Sequence, residues 1–236
     1  MSPPPDGTLT TLQALDAAAG RTIRVGLLLP WANVAVESEL PRLNLRHTVF
    51  HHARLMPASR TTAIDASFWH GLREASVRAL DSLLHVPLDV VMLACTSAHF
   101  TGGPPLPSGV LTAFDALLHA LGEVAVARVV LVTPYPEPVT EAEAAAFTAA
   151  GVEVLAHASL GLTDGYPRVT REQVIALVER IPQDAVDAAG ALVLSCTGWH
   201  TLPVIDELEH RLGKPVLSSN LAMALLAVRV PAGVGS

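Results

Sequence analysis

Two passages of this chain repeat each other. Leu93-Ala94-Cys95-Thr96-Ser97-Ala98-His99 returns as Leu194-Ser195-Cys196-Thr197-Gly198-Trp199-His200. In both, an apolar run ends in Cys-Thr, followed by a small residue, one variable residue and His. The second cysteine comes 101 residues after the first. A second pair keeps nearly the same spacing: Val25-Gly26-Leu27-Leu28-Leu29-Pro30 leads into the acid-containing stretch 34–40, and Val129-Val130-Leu131-Val132-Thr133-Pro134 leads into 141–147, with the prolines 104 residues apart. One match of this kind arises easily in an Ala- and Val-rich chain, but two at a shared offset point to a duplicated unit. The repeat predicts two similar half-domains facing each other across a cleft, with one cysteine on each wall.

The apolar pattern fixes the class of each half. Strands are predicted at 25–29, 48–54, 90–94, 129–133, 152–156, 191–195 and 216–217, and most are Val- and Leu-rich runs without polar alternation. Such runs suit parallel strands covered on both faces. Helices are predicted at 68–84, 110–121, 141–150, 171–181 and 203–212, stopped in places by Gly151 and Pro182. The βαβα rhythm predicts an α/β fold of two Rossmann-like half-domains with mainly parallel four-stranded sheets. Residues 1–23 are an N-terminal extension, with a Pro-rich lead-in read as a flexible tail over 1–20 although a short helix fits 12–19. Residues 24–125 form the first half-domain, completed by a C-terminal helix at 219–230, and 126–218 form the second.

Composition excludes several functions. The net charge is −7, and Lys214 is the single lysine. No basic cluster is available to release phosphate counterions, and aromatics at 4% are too few for stacking platforms, so no nucleic-acid partner is expected. No run reaches the roughly 18 apolar residues of a membrane span. Two cysteines make no disulfide framework, and the N-terminus lacks the regions of a signal peptide. A cytoplasmic setting with free thiols is the expectation.

Both cysteines fall at carboxyl ends of strands, where open α/β sheets bind ligands. If each opens a helix, unpaired backbone N–H groups would favour a thiolate and cradle a substrate carboxylate, with help from the Thr96, Ser97 and Thr197 hydroxyls. The competing readings are space-filling cysteines and a zinc site built from the two Cys-x3-His pairs; structural zinc motifs carry a closer cysteine pair, so no metal is expected. Trp199 is predicted to wall the pocket beside the second thiol. Trp31 walls the cleft or packs in the core, Phe68 and Trp69 pack their helix, and Glu37 and Glu39 are first-turn acids favoured by the helix dipole.

With these residues assembled, the chain from about Arg24 to Val228 resembles the aspartate/glutamate racemase superfamily, and within it the maleate cis-trans isomerase and arylmalonate decarboxylase branch. The resemblance rests on Pro30-x-x-Asn33, Cys95-Thr96-Ser97, Thr133-Pro134-Tyr135, Cys196-Thr197-Gly198 and Pro215-Val216-Leu217-Ser218-Ser219-Asn220. It implies a cofactor-independent isomerase of a small dicarboxylate with Cys95 as nucleophile and Cys196 as its partner. Asn33 and Tyr135 then hold a substrate carboxylate, with Thr96, Ser97, Thr197, Gly198 and His200 completing the binding set. No cofactor, nucleic acid or membrane is required, and a homo-oligomer of two or four copies is expected. The decarboxylases keep only the second cysteine, so the presence of Cys95 argues against that activity. An amino-acid racemase using both thiols as acid and base, and a non-catalytic carboxylate-binding protein, are the alternatives. In one place the chain departs from the isomerases: where they carry Asn in an Asp-Asn step, it has Asp164-Gly165-Tyr166.

Overall fold

The computed structural model describes residues 7–58 and 65–231. It contains two four-stranded sheets, parallel throughout. The first is built from β1 (Ile23–Leu29), β2 (Thr48–Arg54), β3 (Val90–Leu93) and β4 (Val110–Thr112), in the order β2-β1-β3-β4. The second is built from β5 (Arg128–Thr133), β6 (Glu153–Ser159), β7 (Ala191–Leu194) and β8 (Val216–Ser218), in the order β6-β5-β7-β8. The two topologies are identical. Register follows the repeat as well, with Leu28 opposite Leu93 in one sheet and Val132 opposite Leu194 in the other. The central strands are buried almost end to end, as their uninterrupted apolar runs require.

Helices α1 (Thr8–Ala18), α2 (Ala35–Glu39), α3 (Ala66–Asp81), α4 (Ala113–Glu123), α5 (Glu137–Ala149), α6 (Arg171–Val178), α7 (Gln183–Ala188), α8 (Leu202–Leu212) and α9 (Ser219–Arg229) flank the sheets. Helix α9 is buried along its whole length from Ser219 to Ala227, packing against α4, α1 and β1. A helix that is apolar on every side belongs in a core. Because α9 leaves the second sheet at β8 and packs beside α4 of the first, it ties the two halves together.

Three expectations are corrected. Residues 110–121 are not one helix: 110–112 form β4, and Thr112 caps α4 in a reciprocal box with Asp115. A three-residue strand carries too little pattern to be told from a helix start. The stretch 171–181 ends early at Val178, and a separate α7 follows Pro182. The lead-in is not a loose tail over its described part, although residues 1–6 lie outside the described residues. Helix α1 buries Leu12 completely, and Asp16, also buried, accepts hydrogen bonds from the Arg46 and His47 amides and from Thr48 Oγ1 at 2.7 Å. The Glu209 carboxylate meets the other end of the helix at the Thr8 amide, 3.1 Å away, and at its hydroxyl.

Candidate active site

The carboxyl ends of both sheets open on one cleft of about 320 Å³. The turn after β1 contributes Pro30, Ala32 and Asn33, the end of β3 contributes Cys95 and Ser97, and α3 adds Phe68. From the other sheet come Tyr135 after β5, Cys196, Thr197 and Gly198 after β7, and the loop 164–168 after β6. Each sheet thus delivers one cysteine to the same cavity. A larger hollow of about 500 Å³ lies between α1 and the ends of α4, α8 and α9, and holds neither cysteine. The chemistry belongs to the smaller cleft.

Both thiols are free and buried. Neither opens a helix, contrary to expectation: turns follow Cys95, and α8 begins only at Leu202. The backbone still presents N–H groups to the sulfurs, from tight turns instead of helix ends. The amides of Ser97 and Ala98 face Cys95, whose Sγ lies 3.5 Å from Ser97 Oγ. The Gly198 amide donates to Cys196 Sγ at 3.2 Å, and the Tyr135 hydroxyl hydrogen-bonds to the same sulfur. Cys196 has φ of 101°, a conformation rarely adopted by residues with a side chain. Its amide is held by Ser219 Oγ at 3.0 Å. Backbone strain of this kind persists where surrounding contacts enforce it.

The two sulfurs differ in their electrostatics. Burial pushes both thiols up. For Cys95 this is opposed by the Ser97 hydroxyl, by the two amides and by the Arg73 guanidinium. Arg73 also donates to the carbonyls of Ala98, Thr101 and Pro104, fixing the loop beyond the sulfur. For Cys196, burial is opposed by Tyr135 and the Gly198 amide, but the neighbouring Cys95 and Glu143 carry the wrong sign, and its pKa is pushed up to about 12. Glu143 is fully buried, hydrogen-bonded to Ser195 Oγ, and pushed by desolvation to about 8, so it is largely protonated at neutral pH. Cys95 is therefore the thiol better placed to ionise, and Cys196 the better neutral donor.

The remaining expected residues divide. Asn33, Ser97, Tyr135, Thr197 and Gly198 line the cleft; Thr96 and His200 do not. Thr96 is fully buried with its hydroxyl 2.9 Å from Ser219 Oγ. Thr197 Oγ1 donates to the Ala94 carbonyl at 2.7 Å and accepts from Asn33 Nδ2 at 3.0 Å. The threonine of each Cys-Thr pair thus buckles its cysteine loop to the other side of the cleft, which accounts for the repeated dipeptide without a ligand. His200 Nδ1 sits 3.4 Å from Ser38 Oγ, near Glu39, and His99 pairs with Asp115 at 3.2 Å while stacking on Phe114. Trp199 is wholly buried in the core and is no pocket wall. Among the described residues, no three His, Cys, Asp or Glu side chains gather as a metal site requires.

Sequence reading missed the loop 164–168. Tyr166 donates to the Leu162 carbonyl at 3.1 Å and meets Tyr135 edge to face at 5.7 Å, placing Asp164 and Arg168 at the cleft rim. Phe68 packs on Trp31, 4.9 Å between ring centres, and also lines the cleft. The available signal was the Asp164-Gly165-Tyr166 step, noticed only for the amide it lacks.

Paired parallel half-domains with one cysteine each on a shared, cation-poor floor define a class of two-thiol α/β proteins. The chain belongs to the arylmalonate decarboxylase family, whose sequence profile matches residues 96–233. Along most of its length it is also similar to a maleate isomerase of Nocardia farcinica, 29% identical over 87% of this chain and 89% of that protein. An arylmalonate decarboxylase of Bordetella bronchiseptica is 38% identical over 52% of this chain and 51% of its own. Among solved structures, a mutant of the Nocardia farcinica maleate cis-trans isomerase with a covalently bound succinylcysteine intermediate superposes with a TM-score of 0.78 at 26% identity, covering 89% of this chain and 94% of that one. Unliganded arylmalonate decarboxylase gives 0.69 at 28% identity, covering 91% and 94%.

Proposed function

We propose that this protein is a cofactor-independent cis-trans isomerase of a small dicarboxylate, of the maleate-to-fumarate type, acting through a Cys95 adduct. The observation that carries the reading is the pair of buried thiols on one small cleft, both pushed up by burial, with Ser97, two amides and Arg73 opposing the shift at Cys95 and Cys196 held neutral. Similarity to maleate isomerases over most of the chain supports it, as does the presence of a cysteine at position 95.

The chemistry balances without an added reagent. The Cys95 thiolate forms a carbon–sulfur bond to one alkene carbon, and the π pair moves onto the neighbouring carbon and into its carboxylate as an enediolate. The bond between the two carbons is now single and turns. The pair then returns, the carbon–sulfur bond breaks, and the trans alkene leaves with Cys95 again a thiolate. The second hydrogen of Asn33 Nδ2 and the Cys196 thiol are donors for the charge that develops, and the Tyr135 hydroxyl joins them when it turns from the Cys196 sulfur to the substrate. The two half-domains, 24–125 with the C-terminal helix and 126–218, serve as the opposite walls. Free thiols of this kind persist in the reducing cytoplasm, where we place the protein.

Intact-protein mass spectrometry with maleate should show a species heavier by one substrate molecule, mapping to Cys95, while fumarate accumulates. In deuterium oxide the fumarate should carry essentially no carbon-bound deuterium. Failure to convert maleate, together with solvent deuterium entering the α position of an amino acid, would establish the racemase alternative.

A further inference from the structure

The cleft is graded from floor to rim. Cys95, Cys196, Asn33, Ser97, Tyr135 and Thr197 are buried, whereas the Asp164 and Arg168 side chains at the rim are 54% and 82% exposed. The floor offers only neutral donors. Arg168 is the sole cationic side chain among the described residues that line the cleft. Its backbone is fixed, since its amide donates to the Gly165 carbonyl at 2.9 Å and the neighbouring Tyr166 is buried and anchored.

The guanidinium folds back over Gly165. A Cβ on residue 165 would collide with it, standing 3.0 Å from Cζ with Nη2 closer still, and Gly165 has φ of 75°. Glycine at this position therefore does two things: it permits the turn, and it leaves the space the guanidinium occupies. The carboxylate of Asp164 is 3.9 Å away, a solvent-exposed pair that holds the cation weakly. A better-placed carboxylate can displace it, and a guanidinium fork suits that group.

We propose that Arg168, seated over Gly165, is the specificity-determining residue that recognises the second carboxylate of the substrate and makes the cleft select a dianion over a monoanion. This rests on the isomerase reading for its substrate. One carboxylate lies among the neutral donors near the sulfurs, and the other reaches the rim.

The test compares wild type, Arg168→Gln and Arg168→Lys on maleate and on its monoamide, which keeps the cis alkene but loses one charge. Arg168→Gln should raise KM for maleate about fivefold or more, with kcat within about twofold, and leave KM for the monoamide nearly unchanged. Arg168→Lys should recover much of the loss. Added salt should raise KM for maleate in wild type and much less in the Gln variant. A merely structural role would shift both substrates alike, and that outcome overturns the proposal. Protection of the cleft thiols from iodoacetamide by succinate and by succinamate supplies an arm that needs no turnover. If succinate protects wild type better and Arg168→Gln erases that preference, the assignment of Arg168 stands even where maleate is not isomerised. Equal protection by the two compounds in wild type refutes it whatever the activity.

Discussion

Cys95→Ser should remove maleate isomerisation by at least about 10⁴-fold, because a serine hydroxyl in the same place yields no usable alkoxide near neutral pH. Cys196→Ser should be milder, about 10²- to 10³-fold, since it replaces a polarisable donor next to the developing enediolate with a shorter one that can still hydrogen-bond to Tyr135. Steady-state rates read this, with circular dichroism confirming that both variants fold. An active Cys95→Ser enzyme overturns the assignment, and a dead Cys196→Ser beside a slow Cys95→Ser reverses the roles. The wild-type pH profile checks the same point. Attack requires the thiolate, and burial pushes Cys95 above the usual thiol value of 9.0, so kcat/KM should still be climbing above about pH 8.5. A plateau from neutral pH would mean that the thiolate is already formed, or that another group limits the rate.

The duplication and both cysteines were legible in the sequence because strand-end motifs keep their spacing when a unit is copied. Parallel strands buried on both faces also leave apolar runs that are hard to misread, and the run at 129–133 fell within one residue of β5. What the sequence could not show is which partner a polar side chain takes across the cleft. Thr96 and Thr197 read as ligand donors in a linear chain; folded, they fasten the cysteine loops across the cleft, Thr96 through Ser219, and Thr197, which also lines the cleft, through the Ala94 carbonyl. Trp199 and Phe68 exchanged roles for a similar reason. Adjacency to a cysteine says nothing about which face of a turn a ring will occupy, and Trp199 went to the core while Phe68, read as packing alone, reached the cleft. The ordered α1 was hidden because its anchors, Asp16 on the β2 amides and Glu209 on Thr8, are long-range pairs with no local signature.

Glu39 carries the repeat further than the motifs did. It lies 104 residues before Glu143, the same separation as Pro30 and Pro134, and both carboxyls are fully buried on the helix that follows the first strand of their half. Read from sequence as a first-turn acid favoured by its own helix dipole, Glu39 instead reaches across to the other half. It accepts from the Thr201 amide at 2.6 Å, the Leu202 amide at 2.7 Å and Asn220 Nδ2 at 2.7 Å. Two of these donors open α8, so the carboxylate caps a helix that belongs to the second sheet.

Glu39→Ala should accordingly be among the most damaging single changes outside the apolar core. It strands two buried donors, the Thr201 amide and Asn220 Nδ2, and the part-buried Leu202 amide, at about 1–3 kcal/mol for each buried one, and a combined loss of about 4 kcal/mol is expected. Against a typical total of roughly 5–15 kcal/mol, that places the variant near the limit of folding. Glu39→Gln should cost within about 1 kcal/mol: its carbonyl still accepts from both α8 amides, and Asn220 Oδ1, which has no partner among the described residues, can turn to accept from the new amide. Burial raises the Glu39 pKa above 4.5, although Asn220 and the two amides oppose it. With the folded pKa above the unfolded one, the protonated acid favours the folded state below about 4.5, and that contribution is lost as pH rises through the folded value. Glutamine does not titrate, so Glu39→Gln should gain on wild type across that rise. Urea midpoints for the three proteins at acidic and neutral pH read both effects. Equal midpoints for the Ala and Gln variants would show that the carboxyl oxygens do not cap α8, and would leave the two halves joined through α9 and the threonine buckles alone.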